Sequence, residues 1–116
     1  MVIEDDEVIR AGLGELLAQQ GYRVELLPNG RDALERLRSG PPPAVILLDL
    51  SMPVMSGWEF LDEKVKDPAL AAIPVIVMSA TGEPLGDSSS SCAAFVRKPF
   101  AFTQLLHILQ GQRSES

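Results

Sequence analysis

Five residues of this chain could share one piece of chemistry: Glu4, Asp5, Asp49, Ser79 and Lys98. Each closes a short apolar run. Met1-Val2-Ile3 precedes Glu4-Asp5, Val45-Ile46-Leu47-Leu48 precedes Asp49, and Val75-Ile76-Val77-Met78 precedes Ser79, while Ala93 to Arg97 leads into Lys98. Carboxylates gathered at one place repel, and one takes up a proton unless a cation intervenes. Hard oxygen ligands with open water positions suit Mg²⁺. Lys98 adds a fixed positive charge and Ser79 a hydroxyl donor. Around a nucleophilic Asp49, these groups meet the needs of phosphoryl transfer: positive charge offsets the equatorial oxygens, and the hydroxyl hydrogen-bonds one of them. Alone, an Asp at a strand end reads more simply as a helix or turn cap. The chemistry therefore depends on whether the fold brings the other four groups to Asp49.

The runs at 45–48 and 75–78 are uninterrupted, as in strands buried on both faces of a parallel sheet. Met1 to Ile3 is a strand stub, Tyr22 to Leu27 alternates in part as a second strand, and Ala93 to Arg97 is a short last one. Between them come helical patterns. Val8, Ile9, Leu13, Leu16 and Leu17 mark the first, with Asp6 as N-cap and Gly21 as C-cap. Ala33, Leu34 and Leu37 mark a second over Arg31 to Ser39, stopped by Gly40-Pro41-Pro42-Pro43. Trp58, Phe60, Leu61 and Val65 mark a third, running to about Lys66. Asp67 to Pro74 reads as a connector. Gly82 to Ser91 is rich in Gly, Pro and Ser and favours loop over helix, so any fourth helix there is short or irregular. Leu105, Leu106, Ile108 and Leu109 mark a final helix capped by Thr103, with a flexible polar tail over 111–116. Strand and helix alternate five times, which implies a parallel sheet with helices on both faces and all strand carboxyl ends on one edge.

The 116 residues suit one domain, 1–116. An apolar fraction of 46% argues against disorder, and a net charge of −6 argues against direct nucleic-acid binding. The lone Cys92 excludes an internal disulfide and a multi-cysteine zinc site, and reads as a small buried hydrophobe. No basic leader and no apolar run of about 18 residues is present, which points to a cytoplasmic protein without membrane insertion. His107 reads as a surface or boundary residue, Trp58 as a core or boundary anchor of the third helix, and Met52 and Met55 as packing or loop residues.

In order and spacing, Glu4-Asp5 with Arg10 five residues on, Asp49-Leu50-Ser51-Met52-Pro53-Val54-Met55-Ser56-Gly57, Ser79-Ala80 and Lys98-Pro99-Phe100 resemble the receiver domain of two-component response regulators. The similarity covers nearly all of the chain. It implies a flavodoxin-like, doubly wound (β/α)5 fold with strand order 2-1-3-4-5. Asp49 would then be the phosphoacceptor, taking the phosphoryl group from a sensor histidine kinase or phosphotransfer protein. Asp5, Asp49 and the main-chain carbonyl of Ser51 would ligate Mg²⁺, with Glu4 acting largely through water. Lys98 would pair with Asp49 and then with the phosphoryl group, while Ser79 turns toward it and Phe95 moves inward as the switch aromatic. The protein would be a signalling phosphoacceptor, catalysing only its own phosphorylation and dephosphorylation, and would act on an unknown output protein. The acidic pair can be read as Glu4-Asp5 or Asp5-Asp6; the spacing to Arg10 favours the first. Lys98-Pro99 can be cis or trans.

Three departures stand out. Ser79 replaces the more frequent Thr and keeps the hydroxyl; Phe95 replaces Tyr and loses an outward one. Gly82 to Ser91, where the family places its fourth helix, is expected to dock partners in an unusual way. A receiver-like binding module that works without phosphorylation is the alternative function, disfavoured because the Asp, the acidic pair and the Lys are all present. A dehalogenase-type hydrolase wants a second Asp two residues past the nucleophile, where Ser51 stands.

Overall fold

The computed structural model describes residues 1–49, 57–79, 94–98 and 101–114. Five parallel strands form one sheet in the order β2-β1-β3-β4-β5. They are β1 (Val2–Ile3), β2 (Leu26–Leu27), β3 (Ile46–Asp49), β4 (Val75–Ser79) and β5 (Ala94–Arg97). Five described helices accompany them: α1 (Glu7–Gln19), α2 (Gly30–Ser39), α3 (Gly57–Lys66), the single turn α4 (Pro68–Ala71) and α5 (Phe102–Ser114). The expected doubly wound fold and strand order are those observed.

Strand alternation divides the core in two. Ile3, Ile46, Leu48, Val75 and Val77 face α2 and α3. Val2, Leu47, Ile76, Met78 and Val96 face Leu13 and Leu17 of α1 and Leu105 and Leu109 of α5. Both faces of β3 and β4 are covered, so their sequences show no polar alternation.

Local signals set the helix ends. The Asp6 carboxylate accepts the N–H groups of Val8 and Ile9 at 2.9 and 3.1 Å and caps α1. At the other end Gly21 has φ +91°, with Gly21 N–H on Ala18 C=O and Tyr22 N–H on Leu17 C=O. This is a Schellman closure, which needs a left-handed residue after the helix. Gly14 serves close approach instead: a Cβ there would meet Leu26 Cδ2 at 3.0 Å. The Asn29 side chain accepts Asp32 N–H at 2.8 Å and caps α2.

Several inward residues differ from expectation. Leu13, Gly14 and Leu17 centre the buried stripe of α1. At about 100° per residue, Ile9 and Leu16 lie well to one side of that stripe and Val8 almost opposite. All three are exposed, Val8 to 81%. On α3, Val65 is exposed and Lys64 is buried in its place, on one stripe with Phe60 and Leu61. Lys64 Nζ donates to Ala71 C=O at 3.0 Å, tying α3 to the end of α4. Burial pushes the Lys64 ammonium below its ordinary value. The 67–74 connector thus holds a helical turn, capped by Asp67 on Ala69 N–H at 3.0 Å. β2 is shorter than Tyr22–Leu27: Tyr22 and Val24 pack against the α1–α5 core without laddering. Helix α5 begins one residue before Thr103, which lies in its first turn rather than at the cap. It runs to Ser114, beyond the point where the tail was expected to begin. Trp58 is half-buried against the α2–α3 core, and His107 is exposed. Ser51, Met52, Met55, Gly82 to Ser91, Cys92 and the Lys98–Pro99 bond lie outside the described residues.

Gly21→Ala should lower stability by about 1 kcal/mol, because alanine resists positive φ. Gly12→Ala, with open space around its Cβ, should raise it by about 0.5 kcal/mol. Urea unfolding followed by circular dichroism reads both.

Candidate functional site

Register builds the site. Ile3 pairs with Leu48, so the residues after each, Glu4 and Asp49, fall side by side. Asp49 pairs with Met78, one residue before Ser79. Ser79 pairs with Arg97, one residue before Lys98. The Lys98 N–H donates to Ser79 C=O at 2.8 Å, carrying the β4–β5 ladder up to the lysine. All five residues singled out in the sequence therefore gather at the carboxyl edge of the sheet.

Glu4 and Asp49 are 1% and 3% exposed, whereas Asp5 is exposed. One carboxylate oxygen from each lies within 4.8 Å of the other two. Lys98 Nζ donates to Asp49 Oδ1 at 3.1 Å and stands 3.5 Å from Glu4 Oε2. Ser79 is buried beside them.

Burial pushes the Glu4 carboxyl above its usual value, and the Asp49 charge pushes the same way. The Lys98 ammonium and the Asp6 N–H oppose this without cancelling it. Burial alone would push Lys98 down. The Glu4 charge and the hydrogen bond and charge of Asp49 outweigh it, so Lys98 sits above its ordinary 10.5. The positive charge at this edge is fixed, while the negative charge is incompletely offset.

This donor set fits Mg²⁺. Glu4 Oε2 is buried with no well-formed hydrogen bond, its nearest cation being Lys98. Three hard oxygen donors converge, and the exposed Asp5 marks the side from which water completes a shell. The trio that converges is Glu4, Asp5 and Asp49, whereas the Asp6 carboxylate is engaged as the α1 cap.

Arg10 has a positioning role that its spacing alone did not reveal. Its Nη1 donates to the main-chain carbonyls of Glu4 at 2.8 Å and Asp5 at 3.4 Å. The guanidinium reaches back from the first turn of α1 and holds the turn that carries both acids. Phe95 on β5 is half-buried, level with Val77 and packed against the α2–α3 core.

The chain matches the family model of the response regulator receiver domain over residues 1–110. It is 35% identical over 113 residues to response regulator RR06 of Streptococcus pneumoniae, covering 91% of this chain and 48% of that protein. It is 28% identical to response regulator Rre1 of Synechocystis, covering 96% of this chain and 49% of that protein. The chain thus spans about half the length of these curated relatives. The Thermotoga maritima response regulator TrrA, solved in complex with Mg²⁺–BeF, superposes with a TM-score of 0.84 at 30% identity, covering 96% of this chain and 95% of that one. TrrA solved in complex with histidine kinase ThkA gives 0.84 at 28% identity, covering 96% and 94%.

Lys98→Met should destabilise the metal-free protein by about 2 kcal/mol, because two buried carboxylates lose their cation. Adding Asp49→Asn should recover most of that loss in chemical unfolding. Equal costs in both backgrounds would show that Lys98 and Asp49 are not coupled.

Proposed function

Because the chain belongs to the response regulator receiver family, we propose that it is a phosphorelay switch that accepts a phosphoryl group on Asp49. The observation that carries this reading is the Lys98 ammonium, 3.1 Å from Asp49 Oδ1 in a cluster of three carboxylates. The donor is a phosphohistidine on a histidine kinase or phosphotransfer protein; the TrrA–ThkA complex supports a kinase of this kind.

An Asp49 oxygen attacks phosphorus, the new P–O bond forms as the P–N bond breaks, and the imidazole leaves with the electron pair. When bound, Mg²⁺ neutralises charge on the phosphoryl oxygens. Glu4, Asp5 and Asp49 would hold it, with the Ser51 carbonyl as the further ligand drawn from the family pattern. Lys98 shifts from Asp49 to a phosphoryl oxygen, and its raised pKa keeps it cationic throughout the physiological range. Register places Ser79 beside Lys98, from where its hydroxyl can donate to another phosphoryl oxygen. Phe95 follows Ser79 inward and alters the outer surface of β5, on which an output protein would read the state. Hydrolysis of the acyl phosphate at the same site resets the switch, so the only reactions catalysed are those of the domain itself. A cytoplasmic location accompanies this reading; no described helix is long and apolar enough to cross a membrane.

Incubation with Mg²⁺ and acetyl phosphate should give an acid-stable, alkali-labile phosphate that Asp49→Asn abolishes. Ser79→Ala and Lys98→Met should still bind Mg²⁺ yet label at least about tenfold more slowly, each having lost one charge-stabilising donor. An unlabelled wild-type protein, or label retained in Asp49→Asn, would overturn the proposal.

A further inference from the structure

The acidic edge depends on a turn with few ties of its own. Residues 4–6 join β1 to α1 and belong to neither. Glu4 is anchored on both sides: its N–H donates to Leu27 C=O at 3.1 Å, and its side chain is buried. Asp6 is anchored as the α1 cap. Asp5 is the exposed member of the trio, and among the described residues its one hydrogen-bond partner is the Arg10 guanidinium.

The helix explains why Arg10 reaches this turn. It lies one turn before Leu13 and two before Leu17, on the stripe that α1 directs toward the core. A helical side chain leans toward the N-terminus of its own helix, so Arg10 leans back over residues 4–6. One nitrogen, Nη1, donates to Glu4 C=O at 2.8 Å and to Asp5 C=O at 3.4 Å. Those carbonyls belong to the two rigid peptide planes on either side of the Asp5 Cα. Holding both planes fixes φ and ψ of Asp5, and with them the direction of its Cα–Cβ bond. The guanidinium is also a cation beside a site that fits a cation, so its charge acts against the metal. The two effects have opposite signs. Water at the exposed Asp5 screens the charge, whereas the clamp works through bonded geometry and is not screened.

We propose that Arg10 is a positioning residue for the metal: its clamp on the peptide planes around Asp5 raises the affinity of the acidic edge for a divalent cation, despite the charge it brings. This rests on the reading of Glu4, Asp5 and Asp49 as metal ligands, and is independent of whether Asp49 accepts a phosphoryl group. Groups that orient metal ligands without touching the metal are worth about tenfold to a hundredfold in affinity. Lysine keeps the charge at this position, but as a compact ammonium on a shorter stem it holds the two carbonyls less well.

The test titrates metal-free protein with Mn²⁺ and counts the free ion by electron paramagnetic resonance, a readout independent of phosphorylation. Mn²⁺ takes the same oxygen donors as Mg²⁺. Arg10→Met should bind Mn²⁺ at least about tenfold more weakly than the wild type. Arg10→Gln, neutral and shorter, should also bind more weakly and serves if the Met variant does not fold. Arg10→Lys should recover part of the loss. Gly21→Ala weakens α1 at its other end and should bind as the wild type does, which separates lost position from lost stability. Binding by Arg10→Met or Arg10→Gln as tight as the wild type, or tighter, would show that charge outweighs the clamp and would overturn the proposal. An equal loss in Gly21→Ala would overturn it too. A wild type that leaves all Mn²⁺ free would overturn the metal reading, and this inference with it. Arg10-dependent Mn²⁺ binding in a protein that acetyl phosphate does not label would support the inference while overturning the phosphorelay reading.

Discussion

Two buried carboxylates side by side are the constraint around which this fold is arranged. Glu4 and Asp49 are brought together by the β1–β3 register, out of water, where ionised like charges are unfavourable. Lys98 is the main local answer. It reaches Asp49 at 3.1 Å and Glu4 at 3.5 Å, which leaves Glu4 above its ordinary value. A site left in this condition gains from any added cation. The surroundings maintain the arrangement: Arg10 pins the Glu4 and Asp5 carbonyls, Asp6 is diverted into capping α1, and the β4–β5 ladder delivers Lys98.

Parallel topology explains why the chemistry collects at one edge. Every strand points the same way, so every strand-ending polar residue emerges at the same end, while the apolar runs behind them are sealed by helices on both faces. One end of the sheet thus gathers three carboxylates and the Lys98 ammonium.

The strands and the site were legible in the sequence because their signals are local. Uninterrupted apolar runs mark β3 and β4, a carboxylate before a helical pattern marks the α1 cap, and Gly21 stands where a positive φ closes the helix. For the acidic pair the sequence offered only the spacing to Arg10, because Asp5 and Asp6 are the same residue type; in the fold the Asp6 carboxylate turns to the Val8 and Ile9 N–H groups while Asp5 converges with Glu4 and Asp49. Which way a helix faces was less legible. Val8, Ile9 and Leu16 are apolar yet exposed, because they lie off the stripe that Leu13, Gly14 and Leu17 turn toward the core. Lys64 is charged yet buried, because the turn α4 folds back and offers Ala71 C=O to its ammonium. The burial of Lys64 could not be read from periodicity, since it depends on a neighbour supplied by tertiary structure.

The central claim is that the acidic edge is held together against its own repulsion. Comparing the unfolding free energies of wild type and Glu4→Gln from pH 7.5 to pH 5 without divalent cations tests it most directly. A carboxyl whose value is raised on folding stabilises the fold when protonated and loses that contribution as pH rises through the folded value. Glu4→Gln should therefore be the more stable protein at pH 7.5, with the gap closing as pH falls and Glu4 itself becomes neutral. A Glu4→Gln variant less stable at pH 7.5, or a gap that does not change with pH, would contradict the account.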